Sequence, residues 1–408
     1  MASNSINEFA HLQIPLEEIV TATHNFADEN IIGKGGFGNV YKGKLMQSGK
    51  MIDISCRRLD RRHGQGDVEF WKEISVLSGL EHENIVSLVG FCDENNEKII
   101  ITEYYPKGSL SMHLTDTTNL TWKKRLRISR GIFYAIEYLH EKIGGDYYII
   151  HRNINAFTIL LDDDWSPKLS GFEFSIKHLK HQKDHVFRCE AIGTKGYMDP
   201  EVVKTGGFTH KSDIYSFGIV LFEIMCGRKA FDPKADDDDM FLAPLAKLHY
   251  ENDTLKDMIV NPDLRDQMGG FSFFLQLSRA AYYCIQEKRS QRSDVKSVRR
   301  IVDSAMCSYK IYMYGESESG VEQDYDDPYY KDILDDYYGD DDGDNDYDKK
   351  LDDDGEKRFD DDDDNDDNDD ESHDSLDKPL KEELGGDAVG HESPKPLKVL
   401  HLTCFIIY

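Results

Sequence analysis

Three glycines near the N-terminus have the spacing of a loop that could hold phosphate groups. Gly33, Gly35 and Gly38 form a G-x-G-x-x-G pattern between two apolar, strand-like runs. Glycines let the backbone approach a phosphate closely and offer it N–H groups. A plain hairpin turn or a dinucleotide-binding loop can carry the same pattern, but the latter opens directly into a helix. Residues 39–43 instead continue as a strand, which favours a phosphate-binding hairpin or a plain turn.

A second group of polar residues follows an apolar strand in the middle of the chain. The tripeptide His-Arg-Asn at 151–153 comes directly after the predicted strand 147–150, and Gly-Phe-Glu at 171–173 ends the stretch. This layout resembles the catalytic loop (H-R-D-x-x-x-x-N) and the magnesium-binding loop (D-F-G) of eukaryotic protein kinases. In that resemblance, Asn153 stands at the position of the catalytic aspartate. Thr158 and Gly171 stand at the positions of the two metal-binding residues.

The resemblance extends to a strand and a helix that carry the charges facing the phosphates. Arg57, in the predicted strand 51–59, stands at the family's lysine position. Glu73, in the predicted helix 67–80, stands at the position of the glutamate that pairs with this lysine. Arginine keeps the positive charge, but its planar fork differs in shape from an ammonium group. The alternative for Glu73 is an ordinary solvated glutamate.

Other positions border the expected nucleotide or support the loop. The resemblance implies a nucleotide contact for Val40, a gatekeeper role for Thr102 and hinge positions for Glu103 and Tyr104. A hinge backbone can bind adenine whatever its side chains, so the hinge residues alone do not decide nucleotide binding. In the C-terminal lobe, Asp213 is expected to hold the backbone of the catalytic loop, and Glu201 is expected to pair with Arg292.

The resemblance covers residues 12–308 and is most detailed for plant receptor-like and receptor-like cytoplasmic Ser/Thr kinases. The motifs that carry it are THNF, GFCDE, YYPKGSL and GTKGYMDPE. It implies an α+β, two-lobed protein-kinase-like fold with a small β-rich N-lobe and a large α-helical C-lobe. The predicted boundaries are an N-terminal extension (1–25), an N-lobe (26–104), a C-lobe (105–308) and a tail (309–408). A short helix in the extension is expected to pack on the domain.

The replaced residues bear directly on the family's reaction. Phosphoryl transfer needs a carboxylate to orient the attacking hydroxyl and magnesium to neutralise the phosphates. The amide of Asn153 cannot act as a base, and Gly171 has no side-chain ligand. Because magnesium demands strict geometry, neither Thr158 nor Glu173 is expected to restore its site.

We therefore predict a catalytically impaired pseudokinase, inactive or very weak, that acts as a signalling scaffold or allosteric regulator. ATP is a candidate ligand, and no metal site is expected. Its expected partners are signalling proteins, including active kinases or receptors. The alternative is a weak or unconventional ATP-dependent Ser/Thr kinase.

The C-terminal quarter of the chain differs sharply from the rest in charge. Residues 311–408 contain 35 of the 78 acidic residues but only 9 of the 49 Lys and Arg residues. Such runs repel themselves and bury little apolar surface, which predicts a disordered Asp-rich tail. The tail could also bind basic proteins, so an acidic-tail adaptor is a third functional hypothesis. No nucleic-acid partner is expected.

Targeting signals and the number and spacing of cysteines indicate the cellular compartment of a protein. The sequence has no apolar run of ~18 residues that could span a membrane and no basic-then-apolar signal at its N-terminus. Seven scattered cysteines are typical of a reducing environment. These features predict a cytoplasmic location without a transmembrane span, with recruitment to the plasma membrane only through partners.

Overall fold

A computed structural model describes residues 8–60, 66–188, 191–236, 239–259, 262–268 and 272–314. Its N-terminal lobe is one five-stranded antiparallel sheet with the strand order β1-β2-β3-β5-β4. The strands are β1 (Ile31–Gly35), β2 (Gly38–Gln47), β3 (Lys50–Arg58), β4 (Leu88–Glu94) and β5 (Glu97–Glu103). The predicted tail, apart from its first residues, lies outside the described residues.

The position of Arg57 in the central strand β3 determines the face of the sheet to which its side chain points. Arg57 pairs in register with Val40 on β2 and with Ile100 on β5. Successive side chains of a strand point to opposite faces. Cys56 is therefore buried on one face, in a cluster with Ile19, while Arg57 emerges on the other.

The segment before the sheet is packed onto it. Helix α1 (Leu16–Ala22) follows Pro15, and its Ile19 is completely buried against the sheet. The approach is so close that a Cβ atom on Gly90 would lie 2.4 Å from the carbonyl oxygen of Leu12. The prediction of a short helix packed on the domain is confirmed.

Helix α2 (Asp67–Leu77) carries a mixed inner face. Phe70, Ile74 and Leu77 are buried along one side, as the periodicity of the sequence predicts, and Glu73 is buried between them. The helix ends at Leu77 rather than at residue 80. Burying a carboxylate is costly unless it is paired, so the environment of Glu73 requires a partner.

The C-terminal lobe is mainly helical, and the predicted two-lobed α+β fold is confirmed. Its helices are α3 (Trp122–Glu137), α4 (Pro200–Thr205), α5 (His210–Cys226), α6 (Leu242–Glu251), α7 (Pro262–Asp266), α8 (Ser272–Cys284) and α9 (Val295–Tyr314). Three two-stranded ribbons pair β6 (Tyr147–Ile150) with β9 (Ile176–Leu179), β7 (Ile159–Leu161) with β8 (Pro167–Leu169), and β10 (Phe187–Arg188) with β11 (Gly207–Phe208).

Helix α5 is the centre of the C-lobe core. Almost all of its side chains are buried, which is typical of a helix that is apolar on every side. Thr209 caps its N-terminus by accepting a hydrogen bond from the N–H of Lys211 (3.2 Å). Gly227 ends it in the left-handed conformation, with φ of 68°, as helices often end.

Helix α9 crosses the boundary that we predict between residues 308 and 309. It continues to Tyr314. Tyr309 is 8% exposed, and its ring centroid lies 5.2 Å from that of Phe273 on α8. The resemblance that gave this boundary ends at residue 308, whereas the helix and its apolar contact continue beyond it. Within the described ranges, no helix is both long and apolar enough to cross a membrane.

Candidate functional site

A cleft between the two lobes encloses a cavity of about 330 Å³. It is bordered by the glycine-rich turn between β1 and β2, by β3, by the end of β5 and by two loops of the C-lobe. The predicted site residues on its wall are Gly33, Gly35, Gly38, Val40, Arg57, Glu73, Thr102, Tyr104, Asn153, Thr158 and Gly171. Glu103 is exposed and does not line the cavity.

Arg57 lies at the inner end of the cleft between two carboxylates. Its guanidinium forms an ion pair with Glu73 and lies 3.7 Å (Nη1 to Oε2) from Glu173. Glu73 is therefore a buried ion-pair partner and not a solvated surface residue. We refer to Arg57, Glu73 and Glu173 as the cleft triad.

Burial and mutual charge shift the pKa values within the cleft triad. Burial raises the pKa of Glu73, Arg57 opposes the rise, and the negative charge of Glu173 adds to it. Burial alone would lower the pKa of Arg57, but the two carboxylates raise it above its usual value. The triad thus combines one cation with two acidic groups.

Glu173 is the site residue whose role the sequence did not predict. It is 3% exposed, and its Oε1 accepts a hydrogen bond from Nδ2 of Asn153 (3.2 Å). From the sequence alone it is only a candidate cation ligand, whereas in the structure it contacts Arg57 and Asn153. The available signal was a compensating change of charge: an acid replaces the family's glycine at 173 in a chain that lacks the family's acids at 153 and 171.

The amide of Asn153 is engaged at both ends. Its Oδ1 accepts hydrogen bonds from the hydroxyl of Thr194 (2.9 Å) and from Nδ2 of Asn155 (3.1 Å), while its Nδ2 donates to Glu173. An aspartate at this position could not donate to Glu173 and would place two carboxylates side by side, which is unfavourable. Asn153 and Glu173 are thus complementary to each other.

Thr158 directs its hydroxyl away from the cavity and into the backbone of its own loop. The Oγ1 atom lies 3.0 Å from the carbonyl oxygens of Asn153 and Asn155, either of which can accept its proton. It also accepts a hydrogen bond from the N–H of Asn155 (3.2 Å). The hydroxyl therefore acts as a support of the loop.

Gly171 occupies a backbone position that most other residues disfavour. Its φ is 83°, in the left-handed region where a Cβ is unfavourable. A Cβ built there would lie 2.7 Å from Cγ2 of Thr158. The changes at 158 and 171 are therefore sterically linked, because the threonine methyl takes the space that a side chain at 171 would need.

Asp213 supports the 151–158 loop from helix α5. Its two carboxylate oxygens accept hydrogen bonds from the N–H groups of His151 and Arg152 (2.8 Å each), and Oδ2 contacts Nε2 of His140 at 2.9 Å. Burial alone would raise the pKa of Asp213, but these partners hold it below its usual value. This is the role that the resemblance implies for Asp213.

The predicted pair between Glu201 and Arg292 is wrong. Arg292 instead binds Asp199 through two hydrogen bonds of 2.7 Å. Asp199 caps helix α4 by accepting a hydrogen bond from the N–H of Glu201 (2.8 Å), which turns its carboxylate inwards. Glu201 lies in the first turn with its side chain 32% exposed, and it pairs with Arg289 (Nη1 to Oε2 3.2 Å).

Known proteins match the part of the chain that forms the two lobes. The family described as "Protein tyrosine and serine/threonine kinase" matches residues 26–300. "Probable serine/threonine-protein kinase PBL7" of Arabidopsis thaliana is 38% identical over 285 residues, 69% of this chain and 74% of that protein.

Two further Arabidopsis thaliana proteins show the same similarity. "Probable serine/threonine-protein kinase PBL26" is 36% identical over 290 residues, 70% of this chain and 69% of that protein. "Receptor-like protein kinase ANXUR2" is 40% identical over 255 residues, 62% of this chain but 29% of that protein.

Proposed function

The chain belongs to the protein kinase family, with a domain of the plant receptor-like cytoplasmic Ser/Thr kinase type, and we propose that it is a pseudokinase. It would keep the fold of the family but would not catalyse phosphate transfer. The observation that carries this proposal is the cleft triad: a buried carboxylate, Glu173, is bound to the arginine and to the amide that replace two catalytic groups.

The residues of the cleft do not fit the magnesium complex of ATP that the family generally uses. Gly171 has no ligand atom, and the hydroxyl of Thr158 faces backbone carbonyls. Among the described residues, no group of three or more His, Cys, Asp or Glu side chains is placed to hold a metal ion. Since the reaction depends on charge neutralisation by metal, this loss supports an inactive domain.

The base is missing as well. The oxygen of the Asn153 amide already accepts two hydrogen bonds, and an uncharged amide cannot take up the proton of an attacking hydroxyl. The support of the loop by Asp213 is intact. A scaffold needs an ordered loop but not the catalytic groups, because a binding partner recognises the surface of the protein and not its catalytic activity.

Phosphate transfer from radiolabelled ATP tests the proposal. The purified full chain is incubated for hours with magnesium or manganese and compared with the double variant Arg57→Ala, Asn153→Ala, and urea unfolding verifies that both are folded. We expect no transfer above the double variant. Metal-dependent autophosphorylation above that background would establish the alternative, a weak kinase.

As a scaffold, the protein would act in the cytoplasm through signalling proteins, including active kinases or receptors that recruit it to the plasma membrane. The acidic residues 311–408 would add a site for basic proteins by electrostatic attraction. Pull-downs at rising salt, with the full chain and with a chain lacking 311–408, test this addition. Salt-sensitive binding that survives the deletion would assign the partner to the kinase domain.

A further inference from the structure

The two ends of the cleft differ in chemistry. The hinge end is bordered by the apolar side chain of Leu160 and by the ring of Tyr104. The inner end holds the cleft triad, in which a single guanidinium faces two carboxylates. A flat, uncharged ring system suits the hinge end, whereas a polyanion at the inner end would lie beside the carboxylates of Glu73 and Glu173 as well as the guanidinium.

The guanidinium of Arg57 is already engaged on several sides, although 21% of the side chain stays exposed to the cleft. Besides its two carboxylate neighbours, it lies under Phe37, whose ring centroid is 5.7 Å from the guanidinium carbon. The same ring packs against Phe174, with 5.6 Å between centroids. Phe37 belongs to the turn between β1 and β2, so the tip of the glycine-rich turn closes over Arg57.

Glu173 also presents an unmet hydrogen-bonding need. Its Oε2 is buried, and no donor in the described part of the chain lies within hydrogen-bond distance of it; Nη1 of Arg57 is 3.7 Å away. A buried carboxylate oxygen without a donor is costly, and a hydroxyl or amino group of a ligand would satisfy it. A phosphate, which has only acceptor oxygens when ionised, would not.

We propose that the cleft binds an uncharged nucleoside, or a similar flat heteroaromatic molecule with hydroxyl or amino donors, and that Glu173 excludes nucleotide phosphates. The geometry of the cleft triad and of Phe37 carries this inference. It rests on the proposed function in one respect only, namely that the cleft holds no metal to neutralise a triphosphate.

Calorimetric titration of the full chain with adenosine, AMP, ADP and ATP tests the inference, each with magnesium and with a chelator. We expect adenosine to bind at least about tenfold more tightly than ATP, because like charges a few ångströms apart repel strongly at low effective dielectric. Affinity should fall with each added phosphate, and magnesium should not restore it. ATP binding as tight as adenosine, or no binding of adenosine at millimolar concentration, would overturn the inference.

The variant Glu173→Gln tests the negative charge of Glu173 separately from the shape of its side chain. Glutamine has nearly the same shape, and its Oε1 can still accept the hydrogen bond from Asn153. We expect it to raise the ratio of ATP affinity to adenosine affinity about tenfold. The affinity for adenosine itself should fall, because the amide nitrogen that replaces Oε2 cannot accept a hydrogen bond from the ligand. Glu18→Gln removes the same charge from an exposed position on α1 and should alter neither.

An unchanged ratio of ATP to adenosine affinity in Glu173→Gln would refute the role of Glu173. If that variant does not fold, the series from adenosine to ATP in the unmodified chain still decides the ligand class. These titrations measure binding, and the radiolabel assay measures turnover, so the inference and the pseudokinase proposal can fail separately.

Discussion

Two groups of buried charges lie close to the 151–158 loop, and they are satisfied to different degrees. The C-lobe anchor consists of Asp213, which holds the loop, and Asp199 with Arg292. Asp199 receives hydrogen bonds from Arg292, from the hydroxyl of Ser212 and from the N–H of Glu201. The cleft triad has one cation for two carboxylates and an oxygen of Glu173 without a donor.

The comparison distinguishes buried charges that stabilise the fold from buried charges that border the ligand cleft. In the C-lobe anchor, removing Asp199 would leave the buried guanidinium of Arg292 without its carboxylate, and an unpaired buried charge is strongly destabilising. In the cleft triad the charges are less well matched, so that part of the cleft is better suited to select a ligand than to hold the fold. The positions at which the family's catalytic groups are replaced all line the cleft.

Breaking the anchor should have the largest effect. Arg292→Ala removes both 2.7 Å hydrogen bonds from the buried carboxylate of Asp199 and leaves Arg289 (Nε to Oδ2 3.5 Å) as the nearby cation, and we expect a loss of about 3 kcal/mol in the free energy of unfolding. Urea denaturation of the full chain measures it. Arg289→Ala is the comparison variant: Arg289 contacts Asp199 only at 3.5 Å, and its other partner, Glu201, is partly exposed and can be solvated, so the loss should be smaller. An equal loss in the two variants would contradict the assignment of Asp199 as the partner that matters.

Restoring the family's residue in the cleft should be moderately destabilising. Gly171→Asp places a Cβ at positive φ and against the methyl of Thr158, and we expect a cost of about 2 kcal/mol. Thr158→Ser removes that methyl and keeps the hydroxyl, so it should recover part of the loss.

A double-mutant cycle from urea unfolding of the two single variants and the double variant measures the coupling, which we expect to be about 1 kcal/mol. Additive losses would show that the residues at 158 and 171 are not sterically linked.

A third buried carboxylate, Glu223, sharpens the comparison, because it forms no ion pair among the described residues, and the nearby Lys229 only partly opposes the rise in its pKa. Glu223 accepts hydrogen bonds from the hydroxyl of Tyr197 (2.7 Å) and from the N–H of Ala230 (2.9 Å). Burial raises its pKa from 4.5 to about 8, although these two donors oppose the rise. Between pH 4.5 and about 8, Glu223 therefore keeps its proton in the folded state, whereas in the unfolded state it has lost it.

The free energy of unfolding should therefore fall as the pH rises from about 5 to 8, by at most about 1.4 kcal/mol per pH unit from this group. Glu223→Gln cannot ionise, so the difference in stability between the variant and the unmodified chain should grow in the variant's favour over that range. Urea unfolding at several pH values measures it. A difference that does not change with pH would mean that Glu223 is already ionised in the folded state.

Local patterns predicted much of the fold. The apolar period of residues 67–80 predicted helix α2, because such a pattern reflects which face of an element is buried, and the resemblance placed a strand at residues 51–59, where β3 lies. The resemblance also located the cleft residues, from Gly33 to Gly171. It ends at residue 308, whereas helix α9 continues to Tyr314 and Tyr309 contacts Phe273.

By itself, the sequence determined the order of the elements and the absence of a catalytic carboxylate at 153 and of metal ligands at 158 and 171. Only the tertiary structure decided which charges meet. Asp199 and Glu201 are two residues apart, and the cap of helix α4 turns the first towards Arg292 and the second outwards. Likewise, the left-handed turn at Gly171 carries Glu173 to Arg57. Pairing between distant residues depends on the direction of side chains in space, and no local pattern records it.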